Sequence, residues 1–191
     1  MEIVNNIDLL LKIKEWQEEL SVDSKHIDFA LLEIFIEFEK FLTNSFVLYA
    51  LGGQGKNTFA PTLRISFENE KHLEGFLKCD KQYIDYIKKI PKIKEFIFIE
   101  DSCPFSKVFS TAKFTTYFKE IQILRNFIAH QSKESKDKYQ RNILRAKGIN
   151  QYIKVKTFLG KMNSGENITY YTIYINAMKF YSEIICDPRS E

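Results

Sequence analysis

The chain has 191 residues, of which 45% are hydrophobic and 28% charged, and its formal net charge is +3. These proportions are ordinary for a globular protein with a single domain over residues 1–191. Glycine (7 residues) and proline (4 residues) are scarce, which excludes collagen-like and low-complexity classes and argues against a strand-and-turn architecture, because such folds use both at their corners.

Helical periodicity covers most of the chain, because apolar residues recur at spacings of three and four positions. Pro91 interrupts one such segment, since proline removes a backbone donor and clashes with the preceding turn. The segment 93–99 fits either a strand or a short helix, and the structure of 150–162 is left open. The predicted helices are 2–20, 25–50, 69–90, 107–131, 136–147 and 167–185.

The sequence predicts a cytoplasmic location and gives no reason to expect a membrane partner. No stretch approaches the roughly 20 apolar residues of a membrane span. The first 20 residues carry Glu2 and Asp8 where a signal peptide would carry basic side chains, and they contain no small-residue cleavage site.

Metal binding is not expected from the cysteines or histidines. The cysteines are odd in number and form no CxxC pair, so reduced, isolated thiols are predicted. His26 and His72 lie on separate predicted helices without a ligand at metal-binding spacing, and we interpret them as ordinary surface or core residues. The cysteines are Cys79, Cys103 and Cys186.

A glycine-rich segment over 50–60, Ala-Leu-Gly-Gly-Gln-Gly-Lys-Asn-Thr-Phe-Ala, is similar to the phosphate loop of P-loop NTPases. However, Asn57 stands where a serine or threonine would bind magnesium, and Pro61 would break the helix that should follow. The preceding segment is also predicted to be a helix, whereas a phosphate loop follows a strand. We therefore interpret the glycines as the end of a helix and a loop, and an NTPase is a less favoured alternative.

Charge is unevenly distributed along the chain. Residues 1–50 hold ten acidic and four basic side chains, whereas residues 133–161 hold nine basic and two acidic ones. The basic segment is either a solvated helical face or a phosphate-binding surface, because clustered Lys and Arg release counterions when they bind a polyanion.

The predicted helix 107–131 ends in the pattern R-N-x-x-A-H, which is formed by Arg125, Asn126 and His130. This pattern resembles the signature of the HEPN superfamily (higher eukaryotes and prokaryotes nucleotide-binding), an all-α group. The resemblance implies a four-helix bundle with extra short helices, here with the glycine-containing loop as an insertion. It also implies a homodimer in which the two motifs face each other. Many members are metal-independent endoribonucleases, several of them in toxin–antitoxin or antiphage systems, whereas others bind RNA or proteins without cutting.

The three motif residues suit RNA cleavage without a metal or another cofactor. His130 could take a proton from a ribose 2′-hydroxyl, Arg125 could hold the scissile phosphate, and Asn126 at i,i+4 could orient the imidazole. Arg125 and His130 differ by about 140° around an ideal helix, so convergence needs a long reach, a distorted helix end or a second copy across a dimer axis. The alternative is an arginine bound to an internal carboxylate and a histidine satisfied by the helix dipole.

The basic residues that follow the motif are candidate RNA contacts, because they lie within a few helical turns of His130. RNA and a second copy of the chain are the expected partners. An antitoxin, of the nucleotidyltransferase type or another, is expected if the protein is a toxin. The candidate contacts are Lys133, Lys136, Lys138, Arg141 and Arg145.

Overall fold

Residues 2–78 and 86–189 are described by the structure, which is a computed structural model. The all-α prediction is confirmed for these residues, whose extended structure is limited to one two-stranded antiparallel ribbon and two isolated bridges. In the ribbon, β1 (Met162–Asn163) pairs with β2 (Ile168–Thr169). The α-helices of the described residues are α1 (Ile7–Val22), α2 (Ile27–Ala50), α3 (Glu70–Lys78), α4 (Tyr86–Ile97), α5 (Ser106–Ser110), α6 (Ala112–His130), α7 (Lys133–Tyr139), α8 (Val155–Leu159) and α9 (Tyr170–Cys186).

Helix α1 begins at Ile7, whereas the sequence predicts a helix from residue 2. The side-chain oxygen of Asn5 accepts a hydrogen bond from the Ile7 backbone N–H at 3.2 Å, which is the capping role that asparagine favours. The preceding residues are extended, and the Val4 N–H donates to the Gln54 carbonyl at 2.7 Å. The Glu2 carbonyl in turn accepts from the Gln54 N–H at 3.2 Å, so the pairing uses an acceptor that a longer helix would need.

Helix α4 runs through Pro91, so the predicted interruption at this residue is wrong. Proline removes one hydrogen bond from the helix. However, Ile90 and Ile97 lie seven residues apart on one helical face and are fully buried, and their burial outweighs the local preference of proline. Of the predicted helix 69–90, residues 79–85 lie outside the described part of the chain.

The two ambiguous segments are both partly helical. Residues 93–99 are helical as far as Ile97, after which Phe98 forms an antiparallel bridge with Leu63. Residues 150–162 contain the short helix α8.

The helices that follow α4 are more broken than their periodicity predicts. The predicted helix 107–131 divides at Thr111 into α5 and α6. Helix α7 continues as a π-helical turn over Gln140–Leu144 and a 3-10 turn over Arg145–Lys147. This basic segment ends at Gly148, whose φ of +73° lies in the left-handed region that glycine adopts most easily.

One compact unit of the chain is formed by Met1–Ile7, Phe38–Thr111 and Phe180–Glu191. Its core is rich in aromatic rings, as the 17 phenylalanines of the sequence suggest. The fully buried rings of Phe46 and Phe98 meet edge to face at a centroid distance of 5.9 Å, a favourable aromatic geometry.

The other compact unit is formed by Asp8–Glu37 and Ala112–Lys179. In its core the ring of Phe35 on α2 lies 5.7 Å from the ring of Phe118 on α6. The side chain of Trp16 donates a hydrogen bond from Nε1 to Glu33 at 3.0 Å. This unit contains the complete R-N-x-x-A-H motif and all five candidate RNA contacts.

The glycine-rich segment follows a helix, as the sequence predicts, and the amides of its three glycines and Gln54 are occupied. Gly52 ends α2 with a φ of +85°, and the Gly53 N–H donates to the Leu48 carbonyl at 2.7 Å. The Gln54 N–H donates to Glu2, and the Gly55 N–H donates to Phe59 at 2.8 Å. A phosphate loop needs free amides that point toward one anion, so this segment has the geometry of a helix end.

We predict that Gly55 and Lys56 differ sharply in their tolerance of alanine. A Cβ atom at Gly55 would overlap the Tyr49 hydroxyl and lie 2.5 Å from the Cys186 carbonyl oxygen. Overpacking of this kind costs about 1–3 kcal/mol, so Gly55→Ala should lower the melting temperature by about 3–10 °C. Lys56 is exposed, and Lys56→Ala should leave the melting temperature and any RNA cleavage unchanged.

Magnesium and ATP provide the control for the glycine-rich segment. Because the amides of its three glycines and Gln54 are occupied, ATP with magnesium should not raise the melting temperature of the wild type. A saturable increase that disappears in Lys56→Ala would instead support the NTPase alternative.

Candidate functional site

The motif lies at the C-terminal end of α6, where the chain turns directly into α7. His130 is the last residue of α6, and Gln131 adopts a left-handed conformation with a φ of +47°. The N–H of Gln131 donates to the Phe127 carbonyl at 3.0 Å, which closes the helix in the manner of an αL cap. Ser132 then caps α7, because its Oγ accepts a hydrogen bond from the Ser135 N–H at 3.2 Å.

This turn forms a cleft of about 280 Å³, which we call the motif cleft. Asn126 and His130 both line it, as their i,i+4 spacing predicts. The wall from α7 contributes Glu134 and Lys138, whose side chains form an ion pair at 2.6 Å. The hydrogen bond from Lys138 holds the pKa of the Glu134 carboxyl below its usual value. The cleft therefore places an exposed imidazole near an amide, a carboxylate and an ammonium group.

Arg125 contacts Asn126 but does not line the motif cleft. Its Nη1 donates to Asn126 Oδ1 at 3.1 Å, and its Nε is buried without a hydrogen-bond partner among the described residues. A buried donor without a partner is costly. The structure thus brings Asn126 and His130 together, whereas Arg125 stays outside the cleft, in agreement with the angular separation along α6.

Within the described residues Arg125 is not the partner of the buried carboxylate on α6, whereas His130 does end that helix, as the alternative interpretation expects. The buried carboxylate on α6 belongs to Glu120, whose Oε1 lies 2.7 Å from Lys147 Nζ. The Tyr174 hydroxyl donates to Glu120 Oε2 at 2.8 Å. Lys147, counted in the sequence as part of the basic segment, is therefore largely removed from the surface.

All five candidate RNA contacts are exposed. Of these five side chains, Lys138 is the one that forms an ion pair with a described residue, Glu134. The ammonium of Lys136 lies 4.6 Å from the centroid of the Tyr152 ring, and the Nε of Arg141 donates to the Asp137 carbonyl at 3.4 Å. The motif cleft includes Lys138 alone of the five, while Lys133, Lys136, Arg141 and Arg145 lie outside it.

A second, larger cleft of about 530 Å³ was not foreseen from the sequence, and we call it the aromatic cleft. It is assembled from the start of α2, the end of α6 and the segment around α8. No local pattern could indicate it, because its walls come from three separate parts of the chain, around Phe29, Phe127 and Tyr152. Its aromatic and basic lining residues are Phe29, Phe127, Tyr152, His26, Lys25, Lys154 and Lys156.

The described cysteines are buried and unpaired. Cys103 and Cys186 are free thiols, and burial raises the pKa of Cys186 to about 11. This thiol therefore stays protonated at neutral pH and is a poor nucleophile. The third cysteine, Cys79, lies outside the described residues.

Within the described ranges the chain has neither a metal-binding cluster nor a membrane-spanning helix. No group of three or more His, Cys, Asp or Glu side chains is arranged to hold a metal ion there. None of the helices in these ranges is both long enough and apolar enough to cross a membrane.

No protein-family model, curated protein or solved structure matches this chain. The resemblance to the HEPN superfamily therefore rests on the motif residues. Any function proposed for this chain has to be argued from the geometry of its own residues.

Proposed function

We propose that the protein is a metal-independent endoribonuclease of the HEPN type, built on a four-helix bundle with extra short helices. The observation that carries the proposal is the exposed His130, which shares the motif cleft with Asn126 at the end of α6. A general base must be accessible, and His130 is exposed. The Asn126 amide accepts a hydrogen bond from Arg125, and its role in orienting the imidazole is part of the proposal. The basic side chains that follow in α7 and beyond favour a polyanionic substrate.

The proposed reaction needs no cofactor. His130 takes the proton of a ribose 2′-hydroxyl, and the oxygen attacks the adjacent phosphorus. The bond from phosphorus to the 5′-oxygen breaks, and the leaving oxygen takes a proton from water. The products are a 2′,3′-cyclic phosphate and a 5′-hydroxyl. Arg125 stabilises the negative charge that builds on the phosphate, and Asn126 orients the imidazole.

A homodimer would complete the site. Arg125 lies outside the motif cleft of its own chain, so the phosphate that it binds is proposed to lie at His130 of a second copy. Such an enzyme would act in the cytoplasm as a toxin or antiphage effector. As a toxin it would be held inactive by an antitoxin, of the nucleotidyltransferase type or another.

Incubation of the purified protein with single-stranded RNA in EDTA tests the proposal. We expect fragments with 2′,3′-cyclic phosphate ends, whereas a 2′-deoxy oligonucleotide of the same sequence should remain intact because it lacks the attacking hydroxyl. Intact RNA in this assay would refute the endoribonuclease.

The separation of Arg125 and His130 within one chain favours a second candidate, an RNA- or protein-binding module that does not cut. Such a module needs no convergence of the two side chains. It is the correct assignment if RNA binds but stays intact in EDTA and in magnesium alike.

The salt dependence of RNA binding tests the basic segment. Each phosphate contacted on a single strand adds about −0.7 to the slope of log affinity against log salt concentration. Replacing Lys136, Arg141 and Arg145 with Gln should therefore flatten the slope by about two units. The cleavage rate at saturating RNA should change little, because phosphate contacts position the strand and do not react. A triple variant with the wild-type slope would show that this segment is a solvated face.

A further inference from the structure

The aromatic cleft has the size of a small-ligand site. Its volume of about 530 Å³ lies within the range of roughly 300–1,000 Å³ that is typical of such sites. Two of its aromatic side chains are open to solvent, since Phe29 is 54% and Tyr152 43% exposed. These rings are therefore accessible to a ligand in the cleft.

The charge of the cleft is positive. Lys25, Lys154 and Lys156 line it, and the carboxylate of Asp28 is the acidic group among its lining residues. Lys25 also lies 3.6 Å from the carboxylate of Asp23, so Lys154 and Lys156 contribute most of the positive charge. Exposed aromatic rings beside lysines are the combination that binds single-stranded nucleic acid, because bases stack on the rings and phosphates pair with the ammonium groups. An apolar ligand would need no lysines, and a bare phosphate would need no rings.

The aromatic cleft adjoins the motif on the same helix end. Phe127 and Gln131 line it, and each follows directly after a residue of the motif cleft, Asn126 and His130 respectively. Lys136, a candidate RNA contact, lies over the Tyr152 ring. A strand whose phosphate lies at the motif cleft could therefore place a neighbouring base in the aromatic cleft.

We propose that the aromatic cleft binds an unpaired nucleobase of single-stranded RNA, stacked against Phe29 and Tyr152, with the adjoining phosphates held by Lys25, Lys154 and Lys156. This site would select single strands, because a base inside a duplex cannot enter the cleft. The identification of the ligand as RNA rests on the proposed endoribonuclease function.

The test uses two uncleavable probes, octathymidylate (2′-deoxy) and its abasic counterpart, which carry the same phosphates. Phe29→Leu and Tyr152→Leu should each weaken octathymidylate binding about tenfold without changing the salt slope, and should not affect the abasic probe. Phe29→Tyr and Tyr152→Phe retain the ring and should bind like the wild type. Lys154→Gln with Lys156→Gln should flatten the salt slope by about 1.4 for both probes.

Phe180→Leu is the matched control, since Phe180 is 56% exposed and does not line the cleft; it should bind both probes normally. Equal affinity of the wild type for the two probes, or unchanged binding by both leucine variants, would overturn the site. Binding of an acidic hexaglutamate peptide, with no binding of either oligonucleotide, would also overturn the site and would indicate a protein partner.

The result distinguishes failure of the aromatic-cleft proposal from failure of the endoribonuclease proposal. If RNA is cut but the leucine variants match the wild type in affinity, the cleft assignment fails and the endoribonuclease stands. If ring-dependent binding of octathymidylate occurs without RNA cleavage, the cleft stands and the endoribonuclease fails.

Discussion

His130→Ala is expected to lower the rate of RNA cleavage at least 100-fold and to leave the fold intact. General base catalysis contributes about 10²–10⁴-fold to a rate, and the exposed imidazole is the group in the motif cleft suited to this role. Arg125→Ala should cost about 100- to 1,000-fold, because one donor to the developing charge is lost. The measurement is a single-turnover time course of cyclic-phosphate fragments in EDTA.

A matched histidine provides the control. His72 is also exposed but lies in the other compact unit, so His72→Ala should cut RNA at the wild-type rate. Binding of the uncleavable 2′-deoxy oligonucleotide should survive in His130→Ala, which separates loss of chemistry from loss of affinity. Undiminished cleavage by both His130→Ala and Arg125→Ala would remove the catalytic assignment.

Mixing the two inactive variants tests whether the site is shared between copies. If each site takes Arg125 from one chain and His130 from its partner, a mixed dimer of Arg125→Ala and His130→Ala contains one intact site. Random exchange should then restore about a quarter of the wild-type activity. If both residues act within one chain, the mixture stays inactive.

The parts of the site that depend on local spacing could be predicted from the sequence. Asn126 and His130 share a helical face because they are four residues apart, and the same geometry separates Arg125 from His130. The polar break after His130 also indicates the helix end, although not the left-handed conformation of Gln131 that brings α7 back against it.

The parts that depend on distant residues could not be predicted. The aromatic cleft combines Phe29 with Tyr152, and neither residue carries a local signal of this pairing. Pro91 predicts a break in the helix, but α4 continues through it because Ile90 and Ile97 on the same helix are buried in the core. Lys147 belongs to a basic run in the sequence, and only the fold reveals that Glu120 removes it from the surface.

Lys147→Met is expected to destabilise the protein by about 3–5 kcal/mol, the usual cost of leaving one member of a buried ion pair without its partner. The side chains of Lys147 and Glu120 are 17% and 9% exposed and lie 2.7 Å apart. After the substitution, the Glu120 carboxylate keeps one neutral donor, the hydroxyl of Tyr174. Burial and the adjacent carboxylate raise the pKa of Tyr174, so this donor persists at neutral pH but cannot compensate for a lost cation. Urea denaturation measures the change in the free energy of unfolding.

An exposed ion pair of almost the same length is the matched control. Lys138 and Glu134 lie 2.6 Å apart, but their side chains are 52% and 77% exposed, so water screens the interaction and Lys138→Met should barely move the urea midpoint. The combined change Glu120→Leu, Lys147→Met and Tyr174→Phe should recover much of the stability lost in Lys147→Met, because no charge or hydroxyl is then buried without a partner. If Lys147→Met is no more destabilising than Lys138→Met, Lys147 is solvated in solution and returns to the basic surface available to RNA.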